Sequence, residues 1–501
     1  MRQKDVDGMV APVAVTLQPL VLQKHSFAHI CDIMPLWNAV IDRVARDKKF
    51  LVEAIAPIAE TDETFTAKQL EIYKRLYCDE KVPMQSTMLG ILRSDYMRDK
   101  FYQPPPQTDA GEAVGEIKSA EWKHIEINTI AASFGALSTK AGQLQEFLAR
   151  VRHAAPYRPP DADLPSPTAA ANAIAVSQSL QEIPAGLAKA HQWFVENELP
   201  KEYQASDCVV CTVVQEKERN TGDQYMLAFA LEENHGIHTI RRSLQRMVKE
   251  LELVSRGPNK PPLALFDNGS GRKMVVSVFY FRAAYGPQDF PSEDCWTARE
   301  KLESTAAIKC PSMPYHLCTT KQIQQLLSKD EILSKFVPDK KERVQLQSSF
   351  VGQYPVGEYR DTIIPKAIAN PDMYVLKCQL EGGGNLIAGE DMVKMLQVTK
   401  EQDPKLWNRV QHEYLVMEKI VSATHSGFIF RKGAAEYFDE LVPELGTFGV
   451  ILSSEISEGA VPQQQLLHNV YAGYLMRTKP SNVADGGVMT GLAALDVIAV
   501  E

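Results

Sequence analysis

Residues Tyr374 to Glu390 read Tyr-Val-Leu-Lys-Cys-Gln-Leu-Glu-Gly-Gly-Gly-Asn-Leu-Ile-Ala-Gly-Glu, so a short apolar segment is followed after five further residues by three consecutive glycines. Glycines let a backbone approach a ligand closely, and their successive N–H groups can form a concavity that binds anions. Lys377 ends the predicted strand and suits a phosphate. Glu381 suits a metal ion, because Mg²⁺ usually bridges protein carboxylates and substrate phosphates. A plain surface loop is the alternative interpretation of these residues.

The spacing around the glycines excludes two common phosphate-binding motifs. No Gly-Lys-Ser or Gly-Lys-Thr follows the triplet, as a P-loop would require. Contiguous glycines also do not fit the dinucleotide-binding fingerprint. The triplet is therefore neither a P-loop nor a dinucleotide-binding loop.

Composition and charge are those of an ordinary soluble globular protein, with 45% hydrophobic and 23% charged residues in a chain of 501. The formal net charge of −9 argues against general binding to nucleic acids or anionic membranes. Cys208 and Cys211 form a Cys-x-x-Cys without the second pair that a zinc site needs, so we interpret the cysteines as reduced thiols.

The apolar run from Val10 to Leu22 is the one N-terminal candidate for a targeting segment. It follows a mixed-charge stretch and contains Pro12 and Pro19, so it predicts neither a signal peptide nor a transmembrane helix. We therefore expect a cytoplasmic protein with no nucleic-acid partner and no membrane partner.

A second candidate site lies on a strand predicted from His124 to Ile130. Strand alternation places Glu126 and Asn128 on the same face. Their Cα atoms would lie roughly 6–7 Å apart, which lets both oxygen-bearing side chains reach one hard cation. The solvated face of a half-buried strand would show the same pattern, so these residues alone leave both interpretations open.

The pattern after Asp207 changes to strands that alternate with helices, which is typical of a small α/β domain. Cys208 to Val214 is continuously apolar and predicts a strand buried on both faces. Leu263 to Phe266 and Met274 to Tyr280 flank an Asp-Asn-Gly-Ser-Gly turn and predict a hairpin. Polar residues gather where these strands end, and ligands bind at such ends in open α/β sheets.

Seven longer motifs follow one another along the chain: Arg93 to Met97, Ile125 to Ile130, Gln215 to Asn220, Tyr280 to Arg282, Glu381 to Asn385, Arg477 to Lys479 and Asp485 to Val488. In this order they resemble the motifs of eukaryotic-type glutathione synthetases, a family of ATP-grasp ligases. The resemblance covers roughly residues 15–497. It implies that ATP phosphorylates the cysteinyl carboxylate of γ-glutamylcysteine. Glycine would then attack the acyl phosphate, giving glutathione, ADP and phosphate.

The resemblance also implies an architecture of the α/β class. We expect an ATP-grasp fold with an inserted, small parallel-sheet substrate domain. The expected parts are residues 1–206 with a helical layer, the inserted domain at 207–315, and the C-terminal part at 316–501. The C-terminal part would carry a Gly-rich lid at about 377–390 and a substrate loop at about 477–491. A homodimer is implied as well.

Roles for individual residues follow from the resemblance, position by position. The residues that match the magnesium ligands are Glu126, Asn128 and Glu381. Contacts to ATP are implied for Glu126, Lys309, Lys377, Glu381, Gly382, Gly383, Gly384, Asn385, Met417, Glu418, Lys419, Ile420, Glu444, Lys479 and Asp485. Contacts to the dipeptide and the acceptor are implied for Arg93, Ser133, Glu218, Arg219, Asn220, Gln224, Arg282, Tyr285, Arg477, Val488 and Met489. The expected catalytic residues are Arg93 and Arg477, whose guanidinium groups suit the charge developing on an acyl phosphate.

The chain departs from the family pattern near both glycine loops. Leu380, Leu386 and Ala388 replace an arginine, an asparagine and a tyrosine around the Gly triplet, which bears on nucleotide affinity. Met489 and Thr490 replace two alanines in the loop that bears on the choice of the second amino acid. Two alternatives therefore stay open: a ligase that joins γ-glutamylcysteine to another small amine, and a catalytically silent nucleotide-binding regulator. A regulator would be expected to lack a metal ligand or a lid glycine, whereas this sequence has them all.

Overall fold

The computed structural model describes residues 2–4, 10–79, 83–102, 121–153, 167–378, 386–456, 463–483, 487–489 and 491–501. These residues form a mixed α/β protein with several sheets. None of the described helices combines the length and the apolar character needed to cross a lipid bilayer.

Strands and helices alternate along much of the chain. The strands are β1 (Arg2–Lys4), β2 (Val10–Pro12), β3 (Val15–Thr16), β4 (Leu20–Leu22), β5 (Met88–Arg98), β6 (Trp122–Asn128), β7 (Cys208–Val213), β8 (Thr239–Arg242), β9 (Glu252–Val254), β10 (Leu263–Asp267), β11 (Lys273–Phe281), β12 (Ile308–Cys310), β13 (Gln353–Pro355), β14 (Tyr374–Cys378), β15 (Leu386–Ala388), β16 (Tyr414–Glu418), β17 (His425–Arg431), β18 (Ala434–Ile456), β19 (Gln463–Pro480), β20 (Ala494–Asp496) and β21 (Ile498–Val500). The helices are α1 (Lys24–Arg46), α2 (Lys48–Ala59), α3 (Thr66–Tyr73), α4 (Gly135–His153), α5 (Pro167–Asn172), α6 (Ser179–Asn197), α7 (Thr221–His235), α8 (Leu244–Glu250), α9 (Glu293–Glu303), α10 (Met313–Leu317), α11 (Lys321–Leu327), α12 (Asp330–Phe336), α13 (Lys340–Gln347), α14 (Ile364–Ala369), α15 (Gly389–Gln397) and α16 (Pro404–Glu413).

The largest sheet has seven strands in the order β17-β3-β20-β19-β18-β5-β6. Its long strand β18 pairs antiparallel with β17, β19 and β5. Neighbouring residues of a strand face opposite sides of the sheet. A Cβ at Gly449 would meet Asn38 of α1, whereas Val450 lies against Gly186 of α6. Helices therefore cover both faces of this sheet, and its core residues are buried between them.

A six-stranded sheet contains β8-β7-β11-β10-β9, with β12 beside β11. The predicted hairpin is confirmed, because β10 and β11 are antiparallel and Asp267 lies opposite Lys273. The prediction that β7 is buried throughout is also confirmed. The expectation of a parallel sheet was wrong, because this sheet is mixed: β7 is parallel to β8 and β11, whereas β9 is antiparallel to β10. A short hairpin can join only antiparallel strands, so the predicted turn itself requires a mixed sheet.

A four-stranded sheet, β13-β16-β14-β15, carries the lysine before the Gly triplet. Its strands β14 and β15 are antiparallel, and Lys377 lies opposite Leu386. Leu376, Met392 and Val416 belong to an apolar cluster of this sheet and its helices that is separate from the two large cores. Residues 379–385, which connect β14 to β15 in the sequence, lie outside the described residues.

Candidate active site

A cavity of about 1180 Å³ lies where the seven-, six- and four-stranded sheets meet. The predicted site residues that line it are Arg93, Glu126, Asn128, Ser133, Glu218, Arg219, Asn220, Gln224, Arg282, Tyr285, Lys377, Met417, Glu418, Lys419, Ile420, Glu444, Arg477, Lys479 and Met489. The fold thus gathers residues from distant parts of the sequence around one space large enough for a nucleotide and a small peptide.

Two predicted residues lie apart from the cavity lining. Lys309 is only 1% exposed, and its ammonium group donates a hydrogen bond to the carbonyl oxygen of Thr305 at 2.8 Å. Val488 is buried next to Met489. Neither side chain lines the cavity. The remaining predicted residues, Glu381, Gly382, Gly383, Gly384, Asn385 and Asp485, lie outside the part of the chain that the structure describes.

One side of the cavity is formed by four adjacent strands, β6, β5, β18 and β19. We call their polar cavity-facing residues the charged wall: Arg93, Asp95, Glu126, Asn128, Glu444, Arg477 and Lys479. Alternate residues of a strand share a face, so Arg93 and Asp95 project from β5 side by side. Across the sheet they lie opposite Asn128 and Glu126 of β6. The predicted metal pair and a predicted catalytic arginine are therefore sheet neighbours.

Asp95 is a site residue that the sequence analysis missed. It is 1% exposed. Its carboxylate accepts two hydrogen bonds from Arg93, at 2.6 and 2.8 Å, one from Arg477 at 3.2 Å and one from Asn128 at 3.3 Å. Its position inside the Arg93 to Met97 motif was a signal that Asp95 belongs to the site. A linear motif, however, does not reveal hydrogen-bond partners on other strands.

A second carboxylate of the charged wall, that of Glu444, pairs with cations of β19. It lies opposite Arg477 in the pairing of β18 with β19. Its oxygens are 2.8 Å from the Lys479 ammonium and 3.4 Å from the Arg477 guanidinium. Buried charges are costly unless they are paired. The carboxylates of the wall therefore keep its cations in place before any ligand arrives.

Glu126 lies between two lysines that belong to different elements. Its carboxylate is 3.7 Å from the ammonium of Lys321 and 3.9 Å from that of Lys377. Burial raises the pKa of this carboxyl, but Lys321, Lys377 and then Arg93 and Arg477 outweigh it and lower the pKa to about 2. Glu126 is thus ionised at neutral pH. Lys321, which begins α11 and lines the cavity, was also missed because nothing in its local sequence marks it.

The donor set of Glu126 and Asn128 fits Mg²⁺, which prefers carboxylate and amide oxygens. The amide nitrogen of Asn128 donates to Asp95 and to the carbonyl oxygen of Arg93, which leaves its oxygen as an acceptor for a cation. Within the described ranges, no three His, Cys, Asp or Glu side chains cluster so that they could hold a metal alone. Glu381, the third predicted ligand, lies outside those ranges.

The opposite end of the cavity is organised by Asp223 of α7. Its fully buried carboxylate lies 3.1 Å from the guanidinium of Arg282. The same carboxylate accepts the N–H groups of Phe134, Ala136 and Leu137 at 3.0, 2.9 and 3.2 Å. A negative charge is stabilised at a helix N-terminus, here that of α4. Asp223 therefore ties Arg282 and the six-stranded sheet to the loop that carries Ser133.

Loops at this end contain residues in left-handed backbone conformations. Phe134 and Ala284 both have a φ of 71°. Such conformations cost about 1–3 kcal/mol in non-glycine residues and persist only where the surroundings hold them. Asp223 accepts the N–H of Phe134 at 3.0 Å, and Asp289 accepts the N–H of Ala284 at 2.8 Å. Buried carboxylates thus fix the shape of both loops.

The four-stranded sheet brings the predicted adenine-binding segment, Met417 to Ile420, to the cavity edge. The N–H of Glu418 donates to the carbonyl oxygen of Gly352 at 2.9 Å, and the N–H of Lys419 donates to that of Met373 at 2.8 Å. The Glu418 carboxylate accepts the hydroxyl of Tyr354 at 2.8 Å. These bonds hold the segment in place along the cavity edge.

Comparison with known proteins places the chain in a family. A model of the eukaryotic glutathione synthase ATP-binding domain matches residues 1–500. The chloroplastic glutathione synthetase of Solanum lycopersicum is 33% identical over 98% of this chain and 78% of its own length. The glutathione synthetase of Homo sapiens is 32% identical over 96% of this chain and 88% of its own length.

A solved structure supports the fold. The glutathione synthetase-like effector of Globodera pallida, in its apo form, superimposes with a TM-score of 0.67 at 18% identity. The match covers 100% of this chain and 93% of that one. At this identity the likeness concerns the fold alone. The sequence relatives and the family model carry the assignment, and the chain belongs to the eukaryotic glutathione synthase family.

Proposed function

We propose that this chain joins γ-glutamylcysteine to glycine at the cavity described above, with ATP converted to ADP and phosphate. Membership of the family makes the protein an ATP-dependent ligase of glutathione synthesis. The observation that carries the assignment to this cavity is the charged wall, which sets Arg93, Arg477 and Lys479 beside Glu126 and Asn128. Cations of this kind match the phosphates and carboxylates of the two substrates, and the oxygen pair matches Mg²⁺.

The reaction has two steps that need charge neutralisation rather than a protein nucleophile. A cysteinyl carboxylate oxygen attacks the γ-phosphorus of ATP, and ADP leaves. The amine of glycine then attacks the acyl carbon, and phosphate leaves with that carboxylate oxygen. Phosphoryl transfer depends mainly on positioning and electrostatic stabilisation. Arg93 and Arg477, already held by Asp95 and Glu444, supply positive charge with little rearrangement as the transition state forms.

Nucleotide binding falls to the side of the cavity between the charged wall and the four-stranded sheet. Mg²⁺, held by Glu126 and Asn128 together with Glu381, would neutralise charge on the ATP phosphates. Lys321, Lys377 and Lys479 contact the phosphates in this proposal, and Glu444 contacts the nucleotide. The segment Met417 to Ile420 contacts adenine through its backbone.

Dipeptide binding falls to the other end, where Arg282 faces a carboxylate of γ-glutamylcysteine. Ser133, Glu218, Asn220, Gln224 and Tyr285 line the same region. Met489 lines the cavity close to Arg219, whose guanidinium lies 3.4 Å from the Met489 carbonyl oxygen. We place the acceptor amine near this contact.

The family also suggests a larger architecture. In our proposal residues 1–206 and 316–501 form an ATP-grasp body, and residues 207–315 form an inserted substrate domain. We also propose that the Gly-rich segment between β14 and β15 acts as a lid, because an acyl phosphate must be kept from water. We further propose a cytoplasmic homodimer, which light scattering would test by a mass twice that of one chain.

The direct test is ADP release by the purified protein with Mg-ATP and γ-glutamylcysteine, with and without glycine. We expect release that depends on glycine, with glutathione detected by mass spectrometry. Release with another small amine but not with glycine would keep the mechanism and change the product. A folded protein that binds ATP but is silent with every amine would overturn the proposal in favour of a regulator.

A further inference from the structure

Asp95 contacts three other members of the charged wall through its two carboxylate oxygens. One oxygen accepts the Nε–H of Arg93 at 2.6 Å, and the other accepts an Nη2–H of Arg93 at 2.8 Å. The second oxygen also accepts from Arg477 at 3.2 Å and from Asn128 at 3.3 Å. A bidentate pair of this kind fixes the plane of the guanidinium as well as its position. Asp95 therefore determines the orientation of Arg93.

The two catalytic arginines come from different strands and meet at this one carboxylate. Arg93 belongs to β5 and Arg477 to β19, with β18 between them. Both Nη2 atoms lie within 3.2 Å of the same oxygen of Asp95. Like charges so close repel one another in a partly buried site. The carboxylate between them sets their spacing, and its loss would let both guanidiniums move away from the cavity centre.

The orientation of the Asn128 amide depends on the same group. Its Nδ2 donates to Asp95, so its Oδ1 is the atom left for a cation. A reversed amide would set its oxygen against the Asp95 carboxylate. Partners that orient metal ligands in this way affect metal affinity although they never touch the metal.

Strand β18 leaves room for this arrangement at Gly446. It lies opposite Asp95 in the pairing of β18 with β5. A Cβ atom there would come within 2.6 Å of the Asp95 carboxylate and 2.9 Å of the Arg93 side chain. The backbone of Gly446 is not in the left-handed region, so the glycine supplies space rather than an unusual conformation.

We infer that Asp95 is a positioning residue for the ligation, which holds Arg93, Arg477 and Asn128 where they act, and that Gly446 provides the space it needs. This inference rests on the proposed function of the same cavity.

Asp95→Asn tests the inference because it keeps the shape and removes the charge. We expect kcat to fall by about 10–100-fold and the Mg²⁺ concentration for half-maximal activity to rise by about 10–100-fold. The KM for ATP at saturating Mg²⁺ should stay within about threefold of wild type, because in this inference Asp95 acts on ATP only through Asn128 and the metal ion. The inference would be overturned if Asp95→Asn kept the wild-type kcat and Mg²⁺ dependence. It would also be overturned if a smaller folded fraction fully explained the fall in kcat.

Two glycines of β18 supply a matched pair of variants. Gly446→Ala crowds Asp95, whereas Gly449→Ala crowds Asn38 of α1 on the other face of the sheet. We expect Gly446→Ala to raise the Mg²⁺ requirement as Asp95→Asn does, and Gly449→Ala to lower Tm while leaving that requirement unchanged. Equal Mg²⁺ dependence in the two glycine variants would overturn the inference, even if Asp95→Asn does not fold.

Calorimetry separates this inference from the proposed function. ATP binding at several Mg²⁺ concentrations does not require turnover, so it can be measured even if no amine is ligated. An inactive wild-type protein whose Mg²⁺-dependent ATP binding is weakened by Gly446→Ala but not by Gly449→Ala would refute the proposed function and still support the role of Asp95. Glutathione synthesis by the wild-type protein, with the same Mg²⁺ dependence in Gly446→Ala and Gly449→Ala, would support the proposed function and refute the role of Asp95.

Discussion

The two ends of the cavity hold their arginines in different ways. At the charged wall, Arg93 and Asp95 are two residues apart on one strand, so strand alternation alone places them side by side. At the other end, Arg282 pairs with Asp223, 59 residues away, and Asp223 also bonds the N-terminus of α4. The first pair is built within one strand, whereas the carboxylate of the second pair also binds the N-terminus of α4, so its position depends on how α4 packs against α7. Changes at the charged wall should therefore affect chemistry, and changes at the other end should affect substrate binding and stability together.

The largest loss of activity is expected from Glu126→Gln at the charged wall. The carboxylate is ionised because its pKa is lowered to about 2, and the amide replaces a charged group, the proposed metal ligand, by a neutral one. We expect kcat to fall by about 10³-fold, in line with the several kcal/mol that a metal supplies to charge stabilisation. Circular dichroism and Tm should stay close to wild type.

The matched control for this variant is Glu121→Gln. Glu121 pairs with Arg98 at 2.6 Å, near the start of β6, and does not line the cavity. It should retain wild-type kcat. Comparable activities for the two variants would contradict the assignment of Glu126.

The next largest effect is expected from Lys321→Met, on the nucleotide side of the charged wall. A hydrogen bond to a charged group contributes about 1.5–3 kcal/mol, so the KM for ATP should rise by about 10–100-fold. Lys329→Met is the control, because Lys329 pairs with Glu358 at 2.9 Å outside the cavity lining. Initial rates of ADP formation at varied ATP concentration measure both. An unchanged KM in Lys321→Met would remove Lys321 from the phosphate site.

Replacing one arginine by lysine at each end of the cavity tests whether the charged wall serves chemistry and the Arg282 end serves substrate binding. Lysine keeps the charge but loses the planar fork of the guanidinium. Arg282→Lys should raise the KM for γ-glutamylcysteine by about tenfold with kcat reduced less than threefold, because it removes uniform binding. Arg93→Lys should instead lower kcat. If both variants change kcat and KM in the same proportion, the two ends do not differ in function.

Asp223→Asn is expected to lower kcat less than Asp95→Asn does, but to destabilise the protein more. Removing one partner of a buried ion pair costs about 3–5 kcal/mol, and here bonds to the start of α4 are weakened as well. The free energy of unfolding by denaturant should fall by an amount of this order, with the KM for γ-glutamylcysteine raised several-fold. Asp95→Asn serves as the comparison, with a smaller loss of stability and a larger loss of kcat. Equal stability losses would break the contrast between the two ends.

The smallest effect on activity is expected from Lys309→Met, which should leave the KM for ATP unchanged. Burial, against the attraction of Glu303, lowers the pKa of Lys309 from 10.5 to about 8. Between pH 8 and 10.5 the unfolded lysine is therefore protonated and the folded one neutral. Because the unfolded state binds more protons there, the free energy of unfolding rises with pH across this window.

Denaturant unfolding at several pH values from 7.5 to 11 checks this expectation, and Lys309→Met should make the rise smaller. If Lys309→Met raised the KM for ATP tenfold or more, Lys309 would have to be assigned to the nucleotide site after all.

Local features of the site could be predicted from the sequence because they depend on alternation along one strand. Glu126 and Asn128 both line the cavity from β6, as expected for residues on one strand face, and Lys377 lines it from β14. The pairing of Glu126 with Lys321 could not be predicted, since it joins elements nearly 200 positions apart and no local signal marks Lys321. Lys309 shows the converse, because the resemblance implied a contact to the nucleotide, whereas the fold buries this side chain on β12 of the six-stranded sheet.

The central claim is that the cysteinyl carboxylate is phosphorylated by ATP before glycine attacks. γ-Glutamylcysteine labelled with ¹⁸O in its cysteinyl carboxylate tests this claim in the wild-type enzyme with Mg-ATP and glycine. If an acyl phosphate forms, the carboxylate oxygen that attacked phosphorus leaves with the phosphate, so mass spectrometry should find one ¹⁸O in each phosphate released. Glutathione formed alongside phosphate without ¹⁸O would contradict the account.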